Sequence, residues 1–489
     1  MREGTDDDEP PWAEPPKTRR RWAVVLGGLL LLGAWQRHAL EDLARGVVGA
    51  EPRHRPEHPP QLDGLDLAAV HGPLLTDWVI AAGRDDPEAR AGAQAALRSA
   101  IAADANLTAL FDELVSLTEA RRLADPRHRK RALWITRAWN QYLDDNGQPY
   151  FLDAHVRVAA RPSYVAMAYR VGADGRGTVD GEEHRVRLLE RVDTLNLREL
   201  YTGYASSSVE GALVLADRTR QFAEDRLWPA LADELAPTPS TTAVVRHWRA
   251  LGPSLVAAAE RGLSGTALAV LRDTAAARAE GVAVAEAVQA RHDCGSEFIL
   301  RPLPWNGFEP DALDRLERWV EIGPCPSLTA EELAGLRRAS AALRAPEVAT
   351  ALPSALAELA AWRGRGVAIH ELRHVADDVD LDDDDDLPCA ICPASASTVV
   401  RAELAAYLAE LACSEAPEIA FFDACLVAEA DQTAHAEALA ILFDAAHWSC
   451  AAIPDELSTR ARALEQDAFG RSEEIVVLDP LRGAAAAAD

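Results

Sequence analysis

Lysine is almost missing from this chain of 489 residues, which contains only Lys17 and Lys130 and otherwise uses arginine as its basic residue. Basic side chains are also outnumbered, with 50 Lys and Arg against 78 Asp and Glu, so that the formal net charge is -28. A chain with this charge is repelled by phosphate backbones and by anionic lipid. The sequence therefore predicts no nucleic-acid partner.

Several motifs of common enzymes are also missing. The glycine-containing stretch 201–211 matches neither a Walker loop nor a dinucleotide fingerprint, and no G-x-S-x-G elbow appears where a serine hydrolase needs one. Repeated membrane-spanning runs are absent, because 48% of the residues are apolar and 26% charged, as in packed soluble proteins. These absences argue against nucleotide enzymes, serine hydrolases and multi-span membrane proteins.

One marked apolar segment, 22–36, lies near the N-terminus. It follows residues 1–21, which are acidic, proline-rich and predicted to be a disordered cytoplasmic tail ending in a basic cluster. As a helix, Trp22 to Trp35 covers about 21 Å of a hydrocarbon core of roughly 30 Å. We expect a signal anchor, which leaves a single-pass protein in the inner membrane with its bulk outside the cytoplasm. A cleaved signal peptide and a buried helix of a cytosolic protein are the alternatives.

The rest of the chain is predicted to be mainly α-helical with a small antiparallel β-meander, which is an α+β fold. The meander is indicated by alternating apolar and polar residues in 152–158 and 185–192, with glycines at the turns between them. Apolar residues at helical spacing flank it. The predicted segments are a proline-rich linker (37–64), a helical region (65–147), the β-meander (148–196), a second helical region (197–293) and a metal-binding domain (294–489).

Seven cysteines are present, an odd number, so at least one thiol is left over when the others pair in an exported protein. Cys389 and Cys392 form a C-x-x-C motif. The aspartates directly before it raise thiol pKa values, which disfavours a redox pair. A disulfide is therefore favoured over a structural metal site at this motif.

The pentapeptide HELRH at 370–374 fits the pattern H-E-x-x-H. Residues four apart lie on one face of a helix, so the imidazoles of His370 and His374 can bind the same metal ion. Glu371 then lies beside the ion, where it can take a proton from a water whose pKa the ion has lowered. The pattern predicts a catalytic metal site.

A third ligand is available on a later helical stretch. Glu403 is the first candidate, and Glu410 lies two turns further on the same face as its substitute. A carboxylate added to two imidazoles completes the ligand set of many catalytic zinc sites.

At this point the chain resembles the zincin metallopeptidases, and among them the gluzincins, whose third zinc ligand is a glutamate on a later helix. The resemblance is limited to roughly residues 367–410. It implies a helical zincin-like domain in which His370, His374 and Glu403 bind Zn²⁺ and Glu371 is the general base.

The sequence departs from many gluzincins at Tyr407, where they carry an aspartate that orients a metal-bound histidine. Asp377 is a candidate for that role. For the donor that stabilises an oxyanion, the candidates are Tyr407, His435 and His447. Each of these four residues also has an ordinary structural interpretation.

Other neighbours of the motif are given structural roles. Gly364 and Gly366 are expected to break the helix before HELRH. The segment 377–386 is expected to be a solvated acidic loop, and Arg373 to pair with one of its carboxylates.

These features together predict a membrane-anchored or exported zinc metallohydrolase, a peptidase acting on a peptide or protein substrate. The alternative is a non-catalytic single-pass envelope protein whose helical domains bind a partner. In that case HELRH is coincidental, or it binds metal without turnover.

Overall fold

The structure is a computed structural model, and it describes residues 56–478 with some interruptions. The gaps are 84–85, 119–121, 158–161, 194, 196–202, 206–210, 233–242, 292–328, 378–386, 430–432 and 473. The predicted tail 1–21, the apolar segment 22–36 and nearly all of the acidic loop lie outside the described residues. Within the described ranges, none of the helices combines the length and the apolar composition that crossing a membrane requires.

Helices form most of the described structure. The α-helices are α1 (Leu67–Ala69), α2 (Leu75–Ala82), α3 (Pro87–Ile101), α4 (Ala105–Thr118), α5 (Pro126–Asp145), α6 (Ala216–Phe222), α7 (Trp228–Ala230), α8 (Ala243–Gly262), α9 (Gly265–Arg291), α10 (Ala330–Leu343), α11 (Pro346–Asp377), α12 (Thr398–Cys413), α13 (Pro417–Ala428), α14 (Ala434–Ala446) and α15 (Leu457–Phe469). π-Helical turns at Val70–Leu74 and Ala223–Leu227 join α1 to α2 and α6 to α7.

The strands form one mixed sheet. They are β1 (Tyr150–Arg157), β2 (Ser163–Val179), β3 (Glu182–Arg191), β4 (Gly203–Ala205), β5 (Ala212–Leu215) and β6 (Ile475–Leu478), in the order β1-β2-β3-β5-β4. β1 pairs with the first half of β2, and β6 pairs with Arg176–Val179 at its end. The mainly α fold with a small β component is confirmed.

The sheet is larger than the predicted antiparallel meander. β1, β2 and β3 are antiparallel and lie within 148–196, as predicted, but β5 adds to β3 in parallel, and β4 and β6 extend the sheet. All three added strands come from segments predicted to be helical or metal-binding. β5 is a run of four buried apolar residues, and such a run cannot be distinguished from a buried helix by its periodicity.

The predicted helix break at Gly364 and Gly366 is wrong, because α11 continues through both residues. A glycine inside a helix costs only about 1 kcal/mol relative to alanine. The apolar burial of α11 outweighs that cost. α11 is held against the sheet by a cluster of buried residues, namely Val179, Val186, Ala212, Val214, Val367, Ala368, Ile369, Leu372, Ala409 and Ile475.

The largest core lies among helices α8 to α15, and a second core lies between α1–α5 and β1–β2. The end of the predicted linker belongs to this second region. The backbone of His58 exchanges hydrogen bonds with the Asn106 side chain, and the Gln61 amide donates to Asp104. Leu62 is buried beside them.

A buried histidine in the second core makes stability depend on pH. His71 donates from Nδ1 to the Leu67 carbonyl at 2.9 Å and accepts at Nε2 from the Trp139 indole at 3.1 Å. Its ring also stacks on Tyr150. Only the neutral imidazole satisfies both contacts, and burial lowers the pKa of His71 to about 4.

We therefore expect acid to destabilise the fold through His71. Below the usual histidine pKa of about 6.5 the unfolded chain binds a proton that the folded chain does not. Stability then falls by about 1.4 kcal/mol per pH unit, or about 2 kcal/mol at pH 5. Urea unfolding of the full chain and of His71→Gln at pH 7.5 and pH 5 measures this, and the variant should lose that part of the pH dependence. An equal pH dependence in both proteins would contradict the prediction.

Candidate metal centre

The HELRH pentapeptide occupies the C-terminal turns of α11, where the helix packs between the sheet and α12 and all of the motif except His374 is buried. His370 is 7% exposed and Glu371 5%. Leu372, between the two histidines, points away from them toward the sheet, and a Cβ at Gly177 of β2 would collide with its side chain. The packing of Leu372 thus turns His370 and His374 toward α12.

Helix α12 carries the acidic side of the site. It begins after Ser397, whose hydroxyl accepts a hydrogen bond from the Val400 amide. Glu403, Tyr407 and Glu410 follow at spacings of four and three residues, so they lie in one stripe along the helix. That stripe faces α11, as the contacts below show.

Three ligand atoms come together between the two helices. Glu403 Oε2 lies 3.3 Å from His370 Nε2 and 3.7 Å from His374 Nε2. Potential ligand atoms of these three residues lie within 4.8 Å of one another. Zinc–ligand distances of about 2.0–2.2 Å place the corners of a tetrahedral site roughly 3.3–3.6 Å apart. These three residues could therefore hold a metal ion.

The Glu403 carboxylate has an unusual environment for a buried anion. Its Oε2 atom is buried and is surrounded by three imidazoles, with His435 Nδ1 at 2.9 Å, His370 Nε2 at 3.3 Å and His374 Nε2 at 3.7 Å, although none of these contacts has good hydrogen-bond geometry. Burial alone raises the pKa of Glu403, but His435 and His374 outweigh it and hold the pKa well below its usual range. A buried carboxylate is costly unless positive charge compensates it. The Oε2 atom that needs this compensation is the one that faces the imidazoles of His370 and His374.

Glu410 lies on the opposite side of the His370 ring. Its Oε2 is 3.5 Å from His370 Nδ1, and its Oε1 accepts a hydrogen bond from Arg363 Nη1 at 2.5 Å. Arg363 also pairs with Asp423 of α13. Of the two glutamates left open by the sequence, the structure brings Glu403, and not Glu410, to the side shared by both histidines.

The charges around His370 favour its imidazolium. Burial lowers the pKa of His370, but the nearby carboxylates of Glu403 and Glu410 outweigh that effect and raise the pKa to about 10. Two carboxylates thus stabilise positive charge at this position. The negative charge of these two carboxylates would also favour a bound cation.

Glu371 points into the same group from α11. Burial raises the pKa of Glu371, and the positive charge of His370 and His374 opposes that shift. On its other side is the backbone of β4, since a Cβ at Gly203 would lie 2.9 Å from Glu371 Cγ. Glu371 is therefore enclosed between the two histidines and the last strand of the described sheet.

Two of the three candidate oxyanion donors are at the site. Tyr407 Oη lies 3.3 Å from His435 Nδ1, and its ring packs edge-on against His370. His435, on α14, is also 2.9 Å from Glu403 Oε2 and is 27% exposed, more than the other residues of the cluster. His447 lies about 18 Å further along α14, where it is an exposed C-cap. The candidacy of His447 is wrong.

Asp377 is engaged elsewhere. Its carboxylate pairs with Arg373 and with Arg471, and both Asp377 and Arg373 are fully buried. The pairing of Arg373 with a carboxylate at the start of the acidic loop is confirmed. The carboxylate that lies beside Nδ1 of His370, on the side away from His374, is Glu410. The sequence predicts Glu410 only as a substitute metal ligand and not as a residue that orients a histidine. Arg363, which supports it, was missed, although it lies two turns before His370 on the same face of α11.

The C-x-x-C motif lies in the segment that leads into α12. Cys389 and Cys392 form a disulfide, as predicted, and a second disulfide joins Cys425 to Cys450. Cys413, at the end of α12, is a half-buried thiol. The predicted disulfide at the motif is confirmed.

Comparison with known proteins gives no relative. No family model, no curated protein and no solved structure matches this chain. The site itself is therefore the basis for inferring function.

Proposed function

We propose that this protein is a zinc-dependent metallohydrolase that cleaves peptide bonds. The observation that carries the proposal is the position of the buried Glu403 Oε2 atom, which lies 3.3 and 3.7 Å from the Nε2 atoms of His370 and His374, so that these three residues could hold one metal ion. Two imidazoles and one carboxylate form a ligand set of catalytic zinc sites, which leave a further position for water or substrate.

In this proposal His370, His374 and Glu403 hold the ion. When bound, zinc polarises a substrate carbonyl and lowers the pKa of a water molecule. Glu371 accepts the proton of the attacking water and then delivers it to the leaving nitrogen. Tyr407 and His435, which lie beside the three ligand residues, would donate hydrogen bonds to the carbonyl oxygen as negative charge develops on it.

A peptide is the substrate that the surroundings of Glu371 favour. β4 is the last strand in the order of the described sheet, and Gly203 brings its backbone against Glu371. An extended peptide can bind beside a terminal strand through main-chain hydrogen bonds, without dependence on its side chains. This arrangement supports peptide hydrolysis over the hydrolysis of a small ester or amide.

We further propose that the enzyme works outside the cytoplasm, tethered or exported by the segment 22–36. The disulfides Cys389–Cys392 and Cys425–Cys450 support this, because disulfides persist in oxidising compartments. The anchor itself rests on the sequence alone.

Metal analysis of the purified full-length chain tests the proposal. We expect about one zinc per chain in the wild-type protein and almost none in Glu403→Gln after dialysis, because the substitution removes one of three protein ligands. Glu415→Gln is the matched control, since the Glu415 side chain is 63% exposed and forms its ion pair with Arg365, away from the three ligand residues. Wild-type protein without zinc, or Glu403→Gln with full zinc occupancy, would contradict the proposal. Zinc binding without hydrolysis of any peptide would favour a binding protein.

A further inference from the structure

We propose that Glu410 is a positioning residue for His370. Arg363 and Gly366 keep the Glu410 carboxylate beside the His370 ring. The inference rests on the proposed function, because it concerns the metal affinity of the same site. It adds a role for three residues outside the ligand set.

The two ring nitrogens of His370 face different carboxylates. Nε2 is 3.3 Å from Glu403 Oε2, on the side shared with His374, and Nδ1 is 3.5 Å from Glu410 Oε2. A carboxylate at Nδ1 favours the tautomer with a proton on that nitrogen, which leaves the lone pair of Nε2 directed at the metal. Glu410 therefore selects the form of His370 that can act as a ligand.

Glu410 is itself held in place by Arg363. Oε1 accepts from the guanidinium while Oε2 faces the imidazole, so the two oxygens have separate partners. Arg363 and Glu410 are each 3% exposed, and Asp423 binds the other side of the guanidinium. Buried ion pairs of this kind fix their members more tightly than an exposed ion pair does.

Gly366 leaves the space that this contact occupies. It lies one turn before His370 on α11, and a Cβ there would be 2.8 Å from Glu410 Oε1 and 3.1 Å from Arg363 Nη1. A Cβ at Gly364 would make only ordinary contacts, the nearest at 3.7 Å to Thr219. Of the two glycines, Gly366 alone is required by the Glu410 contact.

This arrangement differs from the gluzincin pattern. There the orienting aspartate follows the third ligand by four residues, which is the position of Tyr407 here. Glu410 lies one turn further along α12 and reaches His370 instead. Although position 407 is a tyrosine, a carboxylate that can orient a histidine is therefore present seven residues after Glu403.

Metal affinity is the experiment that tests the inference. Full-length wild-type protein, Glu410→Gln, Gly366→Ala and Gly364→Ala are titrated with zinc against a chelating indicator, and their cobalt forms are examined by visible absorption. We expect zinc to bind Glu410→Gln and Gly366→Ala about 10–100-fold more weakly than wild type. Their cobalt bands should shift, because the orientation of a ligand has changed. Gly364→Ala should match the wild type in both measurements.

The outcomes separate the inference from the proposed function. Wild-type protein that binds no zinc overturns both. Wild-type protein that binds zinc, with Glu410→Gln and Gly366→Ala within about twofold of it and with unshifted cobalt bands, overturns only the role of Glu410. Should Glu410→Gln not fold, Gly366→Ala decides alone, since it retains every charged group. A lower unfolding midpoint with unchanged affinity and cobalt spectrum counts against the inference, because a purely structural role predicts that result.

Discussion

Replacement of Glu371 by glutamine is expected to lower kcat for peptide hydrolysis by about 10²–10⁴-fold while the zinc content stays near one per chain. Glutamine has nearly the same shape as glutamate but cannot accept the proton of the attacking water. Because Glu371 is not among the three grouped ligand residues, metal binding should persist. Hydrolysis of unfolded casein and zinc analysis of the same protein samples measure the two quantities.

The control for Glu371→Gln is again Glu415→Gln, which removes an exposed carboxylate at the end of α12. It should retain wild-type zinc content and activity. Activity of Glu371→Gln within about threefold of wild type would exclude Glu371 as the general base. Loss of zinc together with activity would instead show that Glu371 supports the metal site, so the two measurements distinguish the roles.

The local part of the site could be predicted from the sequence because it depends on one helix. His370, Glu371 and His374 are close in sequence, so helical geometry alone determines which of them share a face. Glu403 is a different case. Its choice came from the gluzincin resemblance, and Glu410 was equally compatible with the helical spacing. Only the packing of α12 on α11 distinguishes Glu403, which faces both histidines, from Glu410, which lies on the other side of the His370 ring.

Long-range packing explains the predictions that were wrong. Gly366 was interpreted as a helix breaker because glycine is a poor helix former, yet its role depends on Glu410, which is distant in the sequence. β6 pairs residues 475–478 with residues 176–179 of β2, which are far away in the sequence. A four-residue strand has too short an apolar pattern to predict such a distant partner. His447 was a candidate by residue type alone. Its distance along α14 from His435 excludes it.

Arg363 is a residue whose loss is expected to destabilise the fold strongly. It is buried on α11 and pairs with Glu410 of α12 and Asp423 of α13, so one guanidinium joins three helices. Arg363→Met would keep most of the side-chain volume but remove the guanidinium that pairs with the buried Glu410 and the half-buried Asp423. Removal of one partner from a buried ion pair costs about 3–5 kcal/mol. Urea unfolding of the full-length variant at neutral pH measures the loss.

Arg365→Met is the matched control for Arg363→Met. Arg365 lies on the same helix two residues later, but its partner Glu415 is 63% exposed, so we expect a change within about 1 kcal/mol. Equal destabilisation by the two substitutions would contradict the assigned role of Arg363. In excess zinc, the difference in the free energy of unfolding between Arg363→Met and wild type should become smaller but should not vanish. A zinc ion at the proposed site would orient His370, but it would not neutralise Asp423, which faces Arg363 from α13.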